Sequence, residues 1–400
     1  MREGWTYKKL GEVATFKRGL TYSGKDEVTF SDNVVLRSNN IDLATNTLNL
    51  DELKYISSDI IIPEDKKLKA NSIFMCMSNG SKQHLGKVAF IDQDMPYAFG
   101  GFMGLIIPQK EKIYPKYLYF YFCSPQFKDV LSSIGNGANI NNIKFVDIAK
   151  YSVKTPSLSE QQSIVAELDK INELISLKKA QLSDLDSLAQ SIFYDMFGDP
   201  IENEKGWEVK KLGNLCNKIG SGATPRGGNE SYKNHGISLI RSMNVYNNEF
   251  RYKDLAFIDE EQADALSNVV VSQQDILLNI TGASVARCCI VPDNILPARV
   301  NQHVCIIRPK SIADSIYLNY MLTNDSYQNH LLSLARSKAA TREALPKSIV
   351  EDLHIPLPPL PLQQEFAKRI ELIEQQKAQI SSTIKDLETL LASRMQYWFD

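Results

Sequence analysis

Gly4-Trp5-Thr6-Tyr7-Lys8-Lys9-Leu10-Gly11 returns 202 positions later as Gly206-Trp207-Glu208-Val209-Lys210-Lys211-Leu212-Gly213. The same offset carries Gln161-Gln162 onto Gln363-Gln364 and Phe197 onto Phe399, so two copies of about 200 residues account for the 400-residue chain. Each copy reads as a mixed globular stretch followed by a long helix. The boundaries expected are a first globular domain at 1–155, a first helix at 156–200, a second globular domain at 201–358 and a second helix at 359–400. A chain made of two similar halves suits a target that also comes in two halves.

Neither Gly nor Pro occurs from Ser157 to Phe197 or from Leu362 to Phe399. Within the first stretch Ile164, Leu168, Ile171, Ile175, Lys178, Leu182, Leu185, Ala189, Ile192 and Met196 fall at spacings of four and three. Adding 202 gives Phe366, Ile370, Ile373, Lys377, Ile380, Ile384, Leu387, Leu391, Arg394 and Trp398. A 3.5-residue repeat two positions wide is the stripe of a coiled coil. Lys178 and Lys377 stand mid-stripe, where a polar residue sets register. Ser159-Glu160-Gln161-Gln162 fits an S-x-x-Q helix start, while Pro356–Pro361 reads as a stiff lead-in to the second helix. About 36 residues give a rod of about 54 Å, close to one and a half turns of duplex DNA. Two such helices in one chain most simply pair antiparallel and separate the globular domains.

Inside the globular parts the correspondence continues with small shifts. Leu36–Ile41 matches Ile240–Val245, Asn71–Met75 matches Gln274–Leu278, and Lys87–Ile91 matches Arg287–Val291. Short apolar runs bounded by Gly, Asn and Pro read as strands, and Pro115–Ile134 and Ile316–Leu334 as helices. The expected class is α+β: two repeated mixed domains separated by two long pairing helices.

Composition narrows the function. No apolar run approaches the roughly 18 residues of a membrane span, and no charged-then-apolar leader opens the chain, so a cytoplasmic protein is expected. Six cysteines show no C-x-x-C and five histidines no H-E-x-x-H, which leaves no metal site expected. The net charge is −2 but uneven. Residues 1–155 carry 20 basic and 16 acidic side chains; residues 156–200 carry 3 and 8. Phosphates would repel the acidic helix, so any nucleic-acid contact belongs to the globular parts.

Polar, glycine-rich loops supply the candidates. Arg and Lys reach guanine acceptors and phosphates, Asn and Gln match adenine, and glycine lets backbone amides approach phosphate. In the first domain the residues expected at DNA are Lys17, Arg18, Arg37, Asn39, Lys82 and Gln83. In the second they are Thr224, Arg226, Arg241, Asn244, Arg299, Asn301 and Gln302.

The chain resembles the specificity subunits of type I restriction–modification systems. The residues that carry the resemblance are Trp207–Gly213, Gly220-Ser221-Gly222-Ala223-Thr224-Pro225 with its G-x-T-P loop, and Pro156–Gln162. The first copy departs from that loop, with Gly19-Leu20-Thr21-Tyr22. Leu362 stands where Glu160 does in the first copy. The resemblance implies two target-recognition domains that each read one half of a split sequence in double-stranded DNA. It implies paired helices that fix the unread gap and dock two methyltransferase subunits. An endonuclease/translocase subunit is an optional further partner. It also implies no catalytic residues and no cofactor. The sequence agrees: Gly80–Val88 has five residues between its glycines where a phosphate loop needs four, and Val88 replaces the magnesium-binding hydroxyl. Two other readings remain open. One is a coiled-coil scaffold whose heads bind protein, the other a recognition subunit of another restriction type with a fused methylase–nuclease.

Overall fold

The computed structural model describes residues 4–134, 142–225, 227–337 and 343–400. The repeated opening stretch is what closes each head. Thr6–Lys9 is a strand that runs antiparallel to Ser152–Thr155, immediately before the first long helix. Glu208–Lys211 pairs in the same way with His354–Leu357. The beginning and end of each head are thereby tied together.

Each head has three layers. In the first, an antiparallel sheet runs in the order Ala14–Arg18, Met103–Pro108, Ser72–Cys76, Val88–Ile91. Its counterpart in the second head runs Cys216–Ser221, Val304–Pro309, Ile276–Asn279, Cys288–Ile290. Helices cover one face of this sheet and a second small sheet covers the other. Alternate residues therefore enter different cores: Ile73 and Met75 pack toward the helices, Phe74 and Cys76 toward the other sheet. Burial on both faces is why Ser72–Cys76 and Ile276–Asn279 read as nearly unbroken apolar runs. The small sheets share three strands (34–36, 54–56 and 98–99; 237–240, 256–258 and 298–300). They differ at the edge, where Glu27–Val28 flanks the first and Val270–Val271 the second.

The two expected head helices are each broken in two. Pro115–Cys123 and Pro125–Ile134 meet at Ser124, and Ser315–Thr323 and Asp325–Ser337 meet at Asn324. Ser124 and Asn324 are extended (ψ 155° and 140°). Ser124 precedes a proline, which disfavours helical geometry there.

The long helices are Leu158–Phe197 and Leu360–Phe399, 40 residues each and about 60 Å long. Every position of the predicted stripe is buried or half-buried. The first helix starts earlier than expected: Ser157, not Ser159, is the cap, its Oγ accepting from Glu160 N at 3.2 Å. In the second, the extended lead-in ends at Leu357 and Pro361 already lies in the first helical turn, where its missing N–H costs nothing. Gln161 and Gln363, both fully buried, do one job twice. Gln161 Nε2 donates to Pro156 O (2.8 Å) and its Oε1 accepts from Tyr114 N (2.7 Å). Gln363 bonds Pro358 O (2.7 Å) and Asp314 N (2.9 Å).

Contacts divide the chain into two compact units, Met1–Lys179 with Ser382–Asp400, and Ala180–Ser381. Each contains the start of one long helix and the end of the other, running antiparallel. In the first unit Glu167 holds Arg394 and Trp398, and Lys179 meets Glu388 at 3.1 Å. In the second Lys377 binds Asp186 at 2.8 Å, and Phe193 packs on Phe366. The repeated phenylalanines close the exchange. Phe399, from the second helix, sits against Tyr117 and Tyr121; Phe197, from the first helix, sits against Tyr317.

Candidate nucleic-acid interface

The loops that leave the strands at one end of each three-layered head come from equivalent positions. In the first head the strand 34–36 ends in Arg37-Ser38-Asn39-Asn40, and in the second 237–240 ends in Arg241-Ser242-Met243-Asn244. The turns are fixed by buried asparagines. Asn40 Nδ2 donates to Asn49 O and Glu52 O (3.0 and 2.8 Å), and Asn244 Nδ2 to Arg251 O and Lys253 O (2.8 and 3.2 Å). Beside them cross Gly19 and Gly222. A Cβ on either would lie 2.0 or 1.7 Å from a carbonyl oxygen, of Gly100 or Val300, so only glycine fits.

In the first head this end holds a cavity of about 860 Å³ that brings together Arg18, Arg37 and Asn39. Arg18 Nε donates to Gly101 O at 3.1 Å. Arg37 faces Glu27 at 3.6 Å, and Lys54 bonds the same carboxylate at 2.5 Å. The Lys54 hydrogen bond pulls the Glu27 pKa below the usual carboxylate value. Tyr22 and Phe102 also line the cavity, and Phe102 is 70% exposed. Both were missed by sequence reasoning, because a lone aromatic in a strand-rich head reads as core. Lys17 lies on the strand 14–18 opposite Leu105 and Gln83 is exposed, and neither lines the cavity; Lys82 belongs to a short 3-10 turn.

In the second head a cavity of about 530 Å³ is lined by Ser242, Tyr246, Thr281, Arg287, His303 and their neighbours. Among the described residues, none of those expected there from the sequence lines it. Asn244, Arg299 and Asn301 are corrected to the interior. Arg299 is 9% exposed and donates to Ala263 O and Ala298 O at 3.1 Å each, because its strand lies inside the small sheet. Asn301 Oδ1 accepts from His303 N at 3.0 Å. Arg241 bonds Asp254 O and stacks over Tyr232. Thr224 and Gln302 are brought together, the Thr224 hydroxyl bonding the Gln302 carbonyl. Arg226 lies outside the described residues. The basic residues that do gather here are Arg287 and Arg251, whose guanidinium carbons lie 4.3 and 3.4 Å from the ring centre of Tyr246. Among the described residues, no group of three His, Cys, Asp or Glu side chains is placed to hold a metal, and no helix is long and apolar enough to cross a membrane.

Two polar-ended heads on one repeated framework are matched twice by one family model. The model described as the type I restriction modification DNA specificity domain matches residues 2–186 and again 204–389. This chain belongs to that family. Among the relatives of this DNA specificity protein, the StySPI type I restriction enzyme specificity subunit of Salmonella potsdam is 25% identical, over 92% of this chain and 82% of that one. The EcoKI specificity subunit of Escherichia coli K12 is 23% identical with the same coverage. Among solved structures, a chain from a study of assembly and conformational transition in a type I restriction–modification system superposes with a TM-score of 0.60. It has 18% identity and covers 100% of this chain and 98% of that one. The S subunit of such a system from M. genitalium superposes at 0.56, with 14% identity and coverage of 99% and 96%. These likenesses extend the shared fold over the whole length.

Proposed function

We propose that the chain selects DNA sites for a type I restriction–modification complex, each head reading one half of a split sequence and the paired helices fixing the gap. The observation that carries this is that the specificity-domain model matches twice, once per head with its following helix. The paired cavities support it, the first lined by Arg, Asn and Ser side chains and the second by Arg, Ser, Thr and His side chains able to meet base edges. The stripe shared by both helices supports the ruler, since equal insertions in the two would keep their pairing in register. On this reading two methyltransferase subunits dock on the helices, an endonuclease/translocase subunit is an optional partner, and the complex works in the cytoplasm. The chain supplies recognition and no chemistry. The expected contact residues are Lys17, Arg18, Arg37, Asn39, Lys82 and Gln83 in the first head, and Thr224, Arg226, Arg241 and Gln302 in the second, joined there by Arg287. Much of the affinity for phosphate comes from partners, since the net charge here is −2.

The test is a base-resolution map of methylated adenines in host DNA with and without the gene. Loss of one split motif with a fixed gap is the expected result. An unchanged map from a transcribed locus would overturn it in favour of a protein-binding scaffold.

A further inference from the structure

We propose that Gln302 reads an A·T pair in the second half-site, its amide held in place by His303, Thr281 and Thr224. This deepens the preceding section and rests on it. Gln302 is exposed, on a loop pinned from below by buried Asn301, whose N donates to Ile240 O at 3.0 Å and whose O accepts from Gly222 N at 3.1 Å. Its Oε1 accepts the Thr224 hydroxyl, and its Nε2 lies 3.1 Å from Nε2 of His303.

An amide nitrogen has hydrogens to give and no lone pair to offer, so His303 Nε2 must be the acceptor. The ring hydrogen then sits on Nδ1, which lies 2.5 Å from Thr281 Oγ1 and donates to it. Rotating the amide by half a turn, with the ring hydrogen moved to Nε2, closes the same chain in the reverse sense: Thr281 donates to Nδ1, Nε2 to the amide oxygen, and the amide nitrogen to Thr224. In either sense the chain Thr281–His303–Gln302–Thr224 holds both ends of the amide.

A carboxamide carries two N–H groups and two oxygen lone pairs. One of each is used within the network, and among the described residues one of each remains on an exposed side chain. That remaining donor and acceptor match N7 and the N6 amino group of adenine in the major groove; guanine offers two acceptors there and does not match. Holding the amide in advance removes the rotamer freedom that binding would otherwise have to freeze. The framework bonds make Gly101 and Phe102 the first-head equivalents of Gln302 and His303: Gly100 N donates to Leu36 O as Asn301 N does to Ile240 O, and Met77 N to Phe102 O as Ile280 N does to His303 O. Neither Gly101 nor Phe102 can build the network, so it serves one half-site only.

The experiment is the same methylation map, made in a host carrying the gene with its partner genes, for the wild-type chain and for Gln302→Ala, Gln302→Glu, His303→Phe and His303→Gln. Gln302→Ala should leave the first half-site and the gap intact and make one A·T position of the second degenerate, with discrimination there falling on the order of 10- to 100-fold. Gln302→Glu, nearly isosteric, should move the preference at that position toward cytosine, whose amino group a carboxylate accepts. His303→Phe should relax the same position while the thermal unfolding of the second head stays unchanged; His303→Gln, which restores an acceptor, should recover it. An unaltered motif in Gln302→Ala, a degenerate G·C position, or loss spread across the half-site would overturn the assignment. A wild-type chain that yields no split motif would instead overturn the selector reading itself.

Discussion

Ser72 and Ile107 occupy neighbouring strands of the first head's main sheet; at the equivalent places in the second stand Asp275 and Arg308. Ser72 Oγ bonds Lys69 O at 2.5 Å, and Ile107 is half-buried. Asp275 is fully buried and takes two 2.7 Å bonds from Arg308, which raise the arginine pKa. A second contrast lies beside the far end of the same central strands. Lys87 points inward to Ile41 O at 2.8 Å, while its counterpart Arg287 turns out over Tyr246 into the cavity. The main-chain bonds at Lys87 and Arg287 are the same in both heads, each carbonyl accepting from the end of the central strand, Cys76 or Asn279. What differs is side chains at fixed places, so the framework tolerates exchange of its polar contents, which is what a family of selectors with different targets needs.

The largest effects should come from the shared parts. Phe399→Ala should destabilise the first unit by about 3–5 kcal/mol, since the ring is 1% exposed between Tyr117 and Tyr121. Hydrogen exchange read by mass spectrometry should show faster exchange in residues 115–134 and leave 315–337 unchanged; equal loss in both would contradict the division into units. Arg308→Ala should cost about 3 kcal/mol in the second head alone, because it strands a buried carboxylate. Replacing the pair with the first head's residues, Asp275→Ser with Arg308→Ile, should be near neutral, and a cost as large as that of the single change would mean the two interiors are not interchangeable.

The helix pairs should part company in their pH response. Bonding by Arg394 lowers the Glu167 pKa, so this contact contributes fully above about pH 4.5 and is lost as pH falls through the lowered value. Burial opposes charge on Lys377, but Asp186 and Glu374 outweigh it and raise its pKa. Its contribution is present below about pH 10.5 and lost above. Glu167→Gln should flatten the acid limb of the first unit's stability and leave the second unit's alkaline limb unchanged. The smallest effect is a gain. Ala286 sits at φ +73°, where the first head has Gly86 at +77°, and Ala286→Gly should stabilise the second head by about 0.5–1 kcal/mol in thermal unfolding.

The long helices were legible because a 3.5-residue stripe is local, and the two heads because the repeat announces itself. Strand order was not, since strands such as Ala14–Arg18 and Met103–Pro108 pair across some ninety residues with nothing local to say so. At the candidate interface, residue type pointed to Arg18, Arg37 and Asn39, which do gather around one cavity. It misplaced Arg299 and Asn301 because polarity looks like exposure until the strand 298–300 is seen inside a sheet. Arg287 gave no sign, looking like any arginine before a strand; its partner ring, Tyr246, lies 41 residues earlier.

The exchange of helix ends gives the two units different histories during synthesis. The second unit is a continuous run, Ala180–Ser381, complete as soon as that run has left the ribosome. The first unit is begun first and finished last. Its core around Tyr117 and Tyr121 waits for Met395 and Phe399, more than two hundred residues later. For that interval the nascent chain carries a folded second head beside a first head with an open apolar socket. The order of manufacture thus makes the earlier head the one in need of a chaperone's shelter.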